Sequence, residues 1–218
     1  MNFSIKLVLK LNEENQRVID GQSKILNWTY NHLLEKANSL KLDFKKTGNE
    51  TACKTLYTQR GLRNLLPDLK LEFPFLKSVH SSPLKNSALR LSDSIRDFQD
   101  SRKGKRKGKP TGWPSFKSFR RKFFSLYYDE PKKGFKISVD NITLSLGVDD
   151  KGKRIKISGK LSKKVSAFKN VAIKNLRITK EGRRYFAVFS VEKNTPSQKK
   201  IKKICAIDPN HKNLGYVV

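Results

Sequence analysis

The sequence predicts an α+β protein in which a block of helices is inserted into a β domain. Three observations carry that expectation. Residues 2–11, NFSIKLVLKL, alternate apolar and polar side chains with period two, as a half-buried strand does. From Asn12 to about residue 100 the apolar residues recur at helical steps of three and four. Beyond residue 120 the pattern changes to short β-rich runs separated by turns.

The elements follow in order. Phe3, Ile5, Leu7, Leu9 and Leu11 are the apolar positions of the opening strand. Asn12, followed by Glu13 and Glu14, reads as an N-cap with acids in the first helical turn. The helix it opens is expected to run from 13 to 40, with the stripe Leu26, Tyr30, Leu33, Ala37, Leu40. A second helix is expected over 50–65, carrying Cys53, Leu56, Leu62 and Leu65, with Gly61 weakening it and Pro67 and Pro74 breaking the path beyond. A third begins at HSSPLKNSALRLSDSIRDFQ, with Ser82 as cap and Pro83 at the first helical position. Its stripe is Leu84, Ala88, Leu91, Ile95, Phe98, too short for a coiled coil and suited to packing on neighbouring helices.

After residue 120 come FFSLYY, GFKISV, NITLSL, KRIKIS, NVAIKNLRIT and RRYFAVFSVE, punctuated by DDKGK and KEGR. Strands this short and close suggest a small twisted barrel. The opening strand, distant in sequence from all of these, is expected to join their sheet. A polar, basic linker over 196–203 then leads to two short apolar strands, ICAI and LGYVV.

Lysine and arginine total 48 against 19 acids, a net charge of +29. Such a field opposes compaction unless a polyanion neutralises it, so a nucleic-acid partner is expected. The charges are spread along the chain and no apolar run approaches the length of a membrane span, so no membrane role is expected. The N-terminus lacks the apolar core of a signal peptide, and cytoplasm or nucleoid is the expected location. Cys53 and Cys205 make neither a disulfide framework nor a zinc ribbon, and Cys205 reads as a small core residue. His32, His80 and His211 are isolated, and His32 reads as a half-buried structural histidine.

Two stretches could carry the partner. SRKGKRKGKP places Arg102, Lys103, Lys105, Arg106, Lys107 and Lys109 among Gly104 and Gly108, a mobile loop by composition. GWPSFKSFRRKFFSLYY then interleaves Trp113, Phe116 and Phe119 with Lys117, Arg120, Arg121 and Lys122. Aromatic faces stack on unpaired bases while cations follow the phosphates. Phe123, Leu126 and Tyr128 are expected to be structural. Asp208 ends the first terminal strand, and residues 209–218 contain no acid. One carboxylate cannot hold the two cations of a phosphodiester-cutting site.

Four segments in order resemble the TnpB (OrfB) family of transposon-encoded RNA-guided nucleases, related to type V CRISPR effectors. NWTYNHLLEK resembles the helical Tyr-Asn segment near that family's start. SSPLKNSALRLSDSIRDFQDSRKGKRKGKPTGWPSFKSFRRKFFSLYY resembles its helix, basic loop, Gly-x-Pro-x-Phe-Lys run and strand. LRITKEGRRYFAVFSVE resembles the hairpin before the nuclease domain. AIDPNHKNLGYVV resembles the first RuvC motif, matching at Asp208, Lys212, Asn213 and Leu214, while Asn210 stands where the family usually has glycine.

The resemblance implies a WED-like β-barrel built from 1–12 and 120–195, a REC-like helical insertion over 13–100, a basic loop over 101–119 and the start of a RuvC-like domain at 204–218. It implies guide RNA and target DNA as partners, with base pairing supplying sequence choice. It implies that Asp208 is catalytic and binds a divalent cation such as Mg²⁺ only in a completed RuvC site. The second catalytic carboxylate, the zinc-ribbon cysteines and the last aspartate are then expected beyond position 218, and this chain alone is expected not to cut DNA. A truncated, disrupted or separately expressed half, or the ordered part of a longer design, would each fit. A stand-alone RNA- or DNA-binding regulator and a basic structural RNA-binding protein are the alternatives.

Overall fold

The computed structural model describes residues 2–58, 60–162, 171–193, 206–208 and 215–217. The opening alternation forms strand β1 (Asn2–Lys10), with Leu7 and Leu9 buried. Asn12 caps helix α1 (Glu13–Thr47), its Oδ1 accepting from the Asn15 amide at 2.9 Å, and Glu13 and Glu14 lie in the first turn. The helix runs past the expected residue 40. It stops at Gly48, whose φ of 68° is the left-handed conformation glycine adopts at little cost.

The helix expected over 50–65 is divided into α2 (Glu50–Tyr57), α3 (Gly61–Asn64) and α4 (Leu66–Glu72), followed by a 3₁₀ turn at Pro74–Ser78. Gly61 explains the break. A Cβ there would lie 2.0 Å from the Thr55 carbonyl oxygen, so the chain folds back on α2 at a distance only glycine permits. Helix α5 (Ser81–Arg102) is capped by His80 and not by Ser82. The His80 Nδ1 accepts from the Ser82 amide at 3.1 Å, which makes Ser82 and Pro83 the second and third helical residues.

The strands are β2 (Leu126–Tyr128), β3 (Phe135–Ser138), β4 (Asn141–Val148), β5 (Arg154–Leu161), β6 (Val171–Glu181) and β7 (Arg184–Lys193). With β1 they form one antiparallel sheet in the order β2-β6-β7-β1-β5-β4-β3. The first strand does join the later ones: Leu7 faces Ala187 on β7, and Leu9 faces Leu161 on β5. The sheet curls into a half-barrel, with β2 and β3 as its edges. Register shifts at Ser145/Val148 and Ile173/Asn175 mark where extra residues bend the strands.

Helices and sheet share one apolar core. Leu26 and Leu33 of α1, Leu84 and Leu91 of α5, and Leu126, Tyr128 and Phe189 of the sheet belong to the same cluster. Each such side chain contributes about 1.5–3 kcal/mol by leaving water. Strands β8 (Ala206–Asp208) and β9 (Gly215–Val217) pair with each other in a separate antiparallel ladder, with Asp208 opposite Gly215. The linker 196–203, Cys205 and 209–214, with His211 and the matched Lys212, Asn213 and Leu214, lie outside the described residues. Among the described residues no helix is long and apolar enough to cross a membrane.

Candidate nucleic-acid interface

Helix α5 ends by releasing the basic run into solvent. Arg102, Lys103, Lys105, Arg106, Lys107 and Lys109 are all exposed. Gly104 and Gly108 take positive φ, 68° and 103°, and turn the chain back so that the Thr111 amide donates to Ser101 Oγ at 2.8 Å. Among these six cations only Arg106 has a carboxylate partner within the described residues, Asp97 at 3.2 Å. An exposed pair of this kind contributes little to stability.

The next segment, 113–125, is tied to α1 by three polar side chains. Trp113 Nε1–H donates to Asn38 Oδ1 at 2.8 Å. Asn31 clasps Lys117 from both sides, donating to its carbonyl at 2.9 Å and accepting from its amide at 2.8 Å. The Phe124 amide donates to Ser23 Oγ at 2.7 Å. Ser23, Asn31 and Asn38 fall within about 80° of arc on an ideal helix, so they form one polar row that holds the strap antiparallel to α1.

The strap sorts its aromatic residues. Trp113 is half-buried, edge-on to Phe98 at 5.3 Å and covered by Lys41 Nζ at 3.8 Å. Phe124, Leu126 and Tyr128 are buried, and Phe123 is half-buried. Phe116 and Phe119 stay open, 57% and 51% exposed, with Lys24 Nζ 5.7 Å from the centre of the Phe119 ring. Lys117 lies with Nζ 4.7 Å from the Tyr30 ring. Burial, then the nearby Arg90 and Lys122 charges, lower its pKa. Arg120, Arg121 and Lys122 are exposed.

Two clefts flank residues 117–123. One, about 450 Å³, lies between the strap, α1 and the β6–β7 turn, and includes Asp20, Lys24 and Lys180. Of its cations, Lys180 is neutralised by an acid, while Lys24, Arg120, Arg121 and Lys122 have no carboxylate partner among the described residues. Asp20 accepts from Lys180 at 2.7 and 3.0 Å and from the Tyr185 hydroxyl at 2.8 Å. Burial alone would depress the Lys180 pKa, but the bonds to Asp20 and Tyr185 outweigh it and raise it.

The other cleft, about 370 Å³, includes Arg90 from α5, Arg177 from β6, and Lys117, Arg121 and Lys122 from the strap. Arg90 stacks on the Phe124 ring at 4.6 Å and donates to Ser125 Oγ at 2.5 Å. Arg177 stacks near Tyr127 at 5.2 Å. Neither arginine pairs with a carboxylate among the described residues. Burial, with Arg177 nearby, pulls the Arg90 pKa down to about 10.

Sequence reasoning missed Arg90, Arg177 and the Asn31 clasp. The polar row inside α1 was the available signal, because serine and asparagine at one helical azimuth need partners when covered. His32 is half-buried, as expected, and stacks on Trp28 at 4.9 Å. Asp208 closes β8, and its side chain lies outside what the structure describes. Among the described residues no three His, Cys, Asp or Glu side chains converge as a metal site would require. No known family model matches the chain, and no curated protein matches it.

Proposed function

We propose that this chain is the nucleic-acid-binding half of a TnpB-like RNA-guided nuclease, holding guide RNA and the RNA–DNA duplex. The observation that carries the reading is the surface running from Arg102 to Lys122. That stretch carries ten cations, counting the six of the loop and Lys117, Arg120, Arg121 and Lys122, together with the open Phe116 and Phe119 rings. Cations with open aromatic faces suit a strand whose bases are unpaired. In this proposal the half-barrel is WED-like, the helical block REC-like and the β8–β9 ladder the start of a RuvC-like fold. Asp208 then has a catalytic, cation-binding role only when further carboxylates complete the site.

The test is RNA affinity against salt. If six to ten phosphates are contacted, affinity should fall by roughly 10³–10⁵ between 50 and 200 mM salt on the duplex scale, and by less on a single strand. An affinity indifferent to salt rules the proposal out. A parallel assay with Mg²⁺ or Mn²⁺, RNA and target DNA should show no cutting by residues 1–218 or by Asp208→Ala. Cutting by the unchanged chain that vanishes in the variant would overturn the claim of inactivity.

A further inference from the structure

We infer that the cleft between Arg90 and Arg177 is a built site for a single phosphate group of a nucleic-acid strand, an inference that rests on the reading proposed above. Three separate elements deliver its cations. Arg90 comes from the middle of α5, Arg177 from β6, and Lys117, Arg121 and Lys122 from the strap. None of the five pairs with a carboxylate among the described residues. The neighbouring cleft shows what this fold does when a cation is to be neutralised internally: it supplies Asp20 to Lys180 and adds the Tyr185 hydroxyl.

A half-buried arginine beside a second arginine is costly. Desolvation disfavours its charge and the like charge adds to the penalty. The cost is tolerated because both guanidinium groups rest on aromatic rings, Phe124 and Tyr127. Arg90 spends one N–H on Ser125, and the other N–H groups of the two planar forks match oxygens of a phosphate. Asn27, Ser118 and Ser125 line the same cleft. The strap forms one wall, and its position is set by the Asn31 and Ser23 bonds, so the site is formed before a ligand arrives. This differs from the 102–109 run, where the same kinds of charge stand in open solvent. The phosphate could be an internal phosphodiester or a strand's terminal phosphomonoester, and the chemistry recognised is the same.

The experiment uses the whole chain and fluorescent single-stranded RNA. Arg177→Ala should weaken binding about tenfold to a hundredfold, the worth of a charge-assisted hydrogen bond, and should lower the salt slope by about 0.7, the single-strand value for one phosphate. Arg177→Lys should recover little of the loss, because an ammonium keeps the charge but not the fork. Lys136→Ala, an exposed cation on β3, should change affinity by less than about twofold. A second arm leaves the protein intact and replaces RNA phosphates one at a time by methylphosphonate. One position should stand out, and its cost should not add to that of Arg177→Ala. An internal position identifies a phosphodiester. Sensitivity confined to removal of the 5′ phosphate identifies the terminal group. Salt-sensitive RNA binding with Arg177→Lys equal to the unchanged chain, or with no phosphate standing out, overturns the site while leaving the functional reading intact. No salt-sensitive RNA binding by the unchanged chain overturns the reading itself.

Discussion

The loop at 102–109 and the strap at 117–122 look alike in sequence, yet they hold their charges in different ways. In the loop six cations project into water, one of them loosely paired with Asp97. In the strap the backbone is bound to α1 through Asn31 and Ser23. Of its cations, Lys117, Arg121 and Lys122 line one cleft with Arg90 and Arg177, which arrive from a helix and a strand far away in sequence. Solvated charges raise the field and the association rate but select no geometry. Charges held over a cleft, without acids, can select the position of an anion. In the proposed reading the loop therefore steers and the strap sets the register.

The largest expected effect breaks the comparison from the loop side. Replacing Arg102, Lys103, Arg106 and Lys107 together by alanine should reduce the salt slope of RNA binding by about 0.7 for each single-strand phosphate that is no longer neutralised, up to nearly three. The melting temperature should barely move, because surface substitutions of this kind stay within about 0.5 kcal/mol. A large thermal loss would show that the loop is structural.

The next effect works on the strap. Asn31→Ala removes both bonds to Lys117 and should cost about 1–3 kcal/mol. Trypsin should first nick the unchanged chain within 101–112, and RNA should slow that cut. In Asn31→Ala, cuts at Lys117, Arg120, Arg121 and Lys122 should appear as well. Early cleavage within 142–161 or 171–192 would instead contradict the layout of the sheet.

The smallest effect separates both regions from the core. His80 caps α5 only while Nδ1 is an acceptor. Burial is the main cause lowering its pKa below the ordinary 6.5, against the raising influence of Glu130 and Asp129. The unfolded chain therefore binds the proton more readily. The cap's contribution, about 1 kcal/mol, is complete above that ordinary value and is lost as pH falls through the lower folded one. Denaturant titrations between pH 7 and 5 should show this loss, and His80→Asn should abolish the slope. Arg90, with a pKa of about 10, stays charged throughout, so its contribution to RNA affinity should not follow the same curve.

Much of the frame was legible in sequence because it is written locally. Alternation at Phe3 to Leu11 marked a strand, and Asn12 before two acids marked a helix start. Other features depended on distant neighbours. Ser82-Pro83 has the form of a helix start, but His80 reaches the amide first. The 50–65 helix is interrupted where Gly61 meets the Thr55 carbonyl. Closure of the sheet was expected, yet the strand order leaves β2 and β3 as edges. At the candidate site the charge runs were visible, while Arg90 and Arg177 were not. Each is a lone cation within an amphipathic element, and only the fold brings the two together.

Hydrogen exchange of the full chain, with and without RNA, tests the central claim most directly. It reads backbone protection along both regions in one experiment. The account predicts new protection over 102–125, from loop to strap, and little change along the β3–β4 edge of the sheet. Protection confined to that edge, or no protection despite bound RNA, would contradict it.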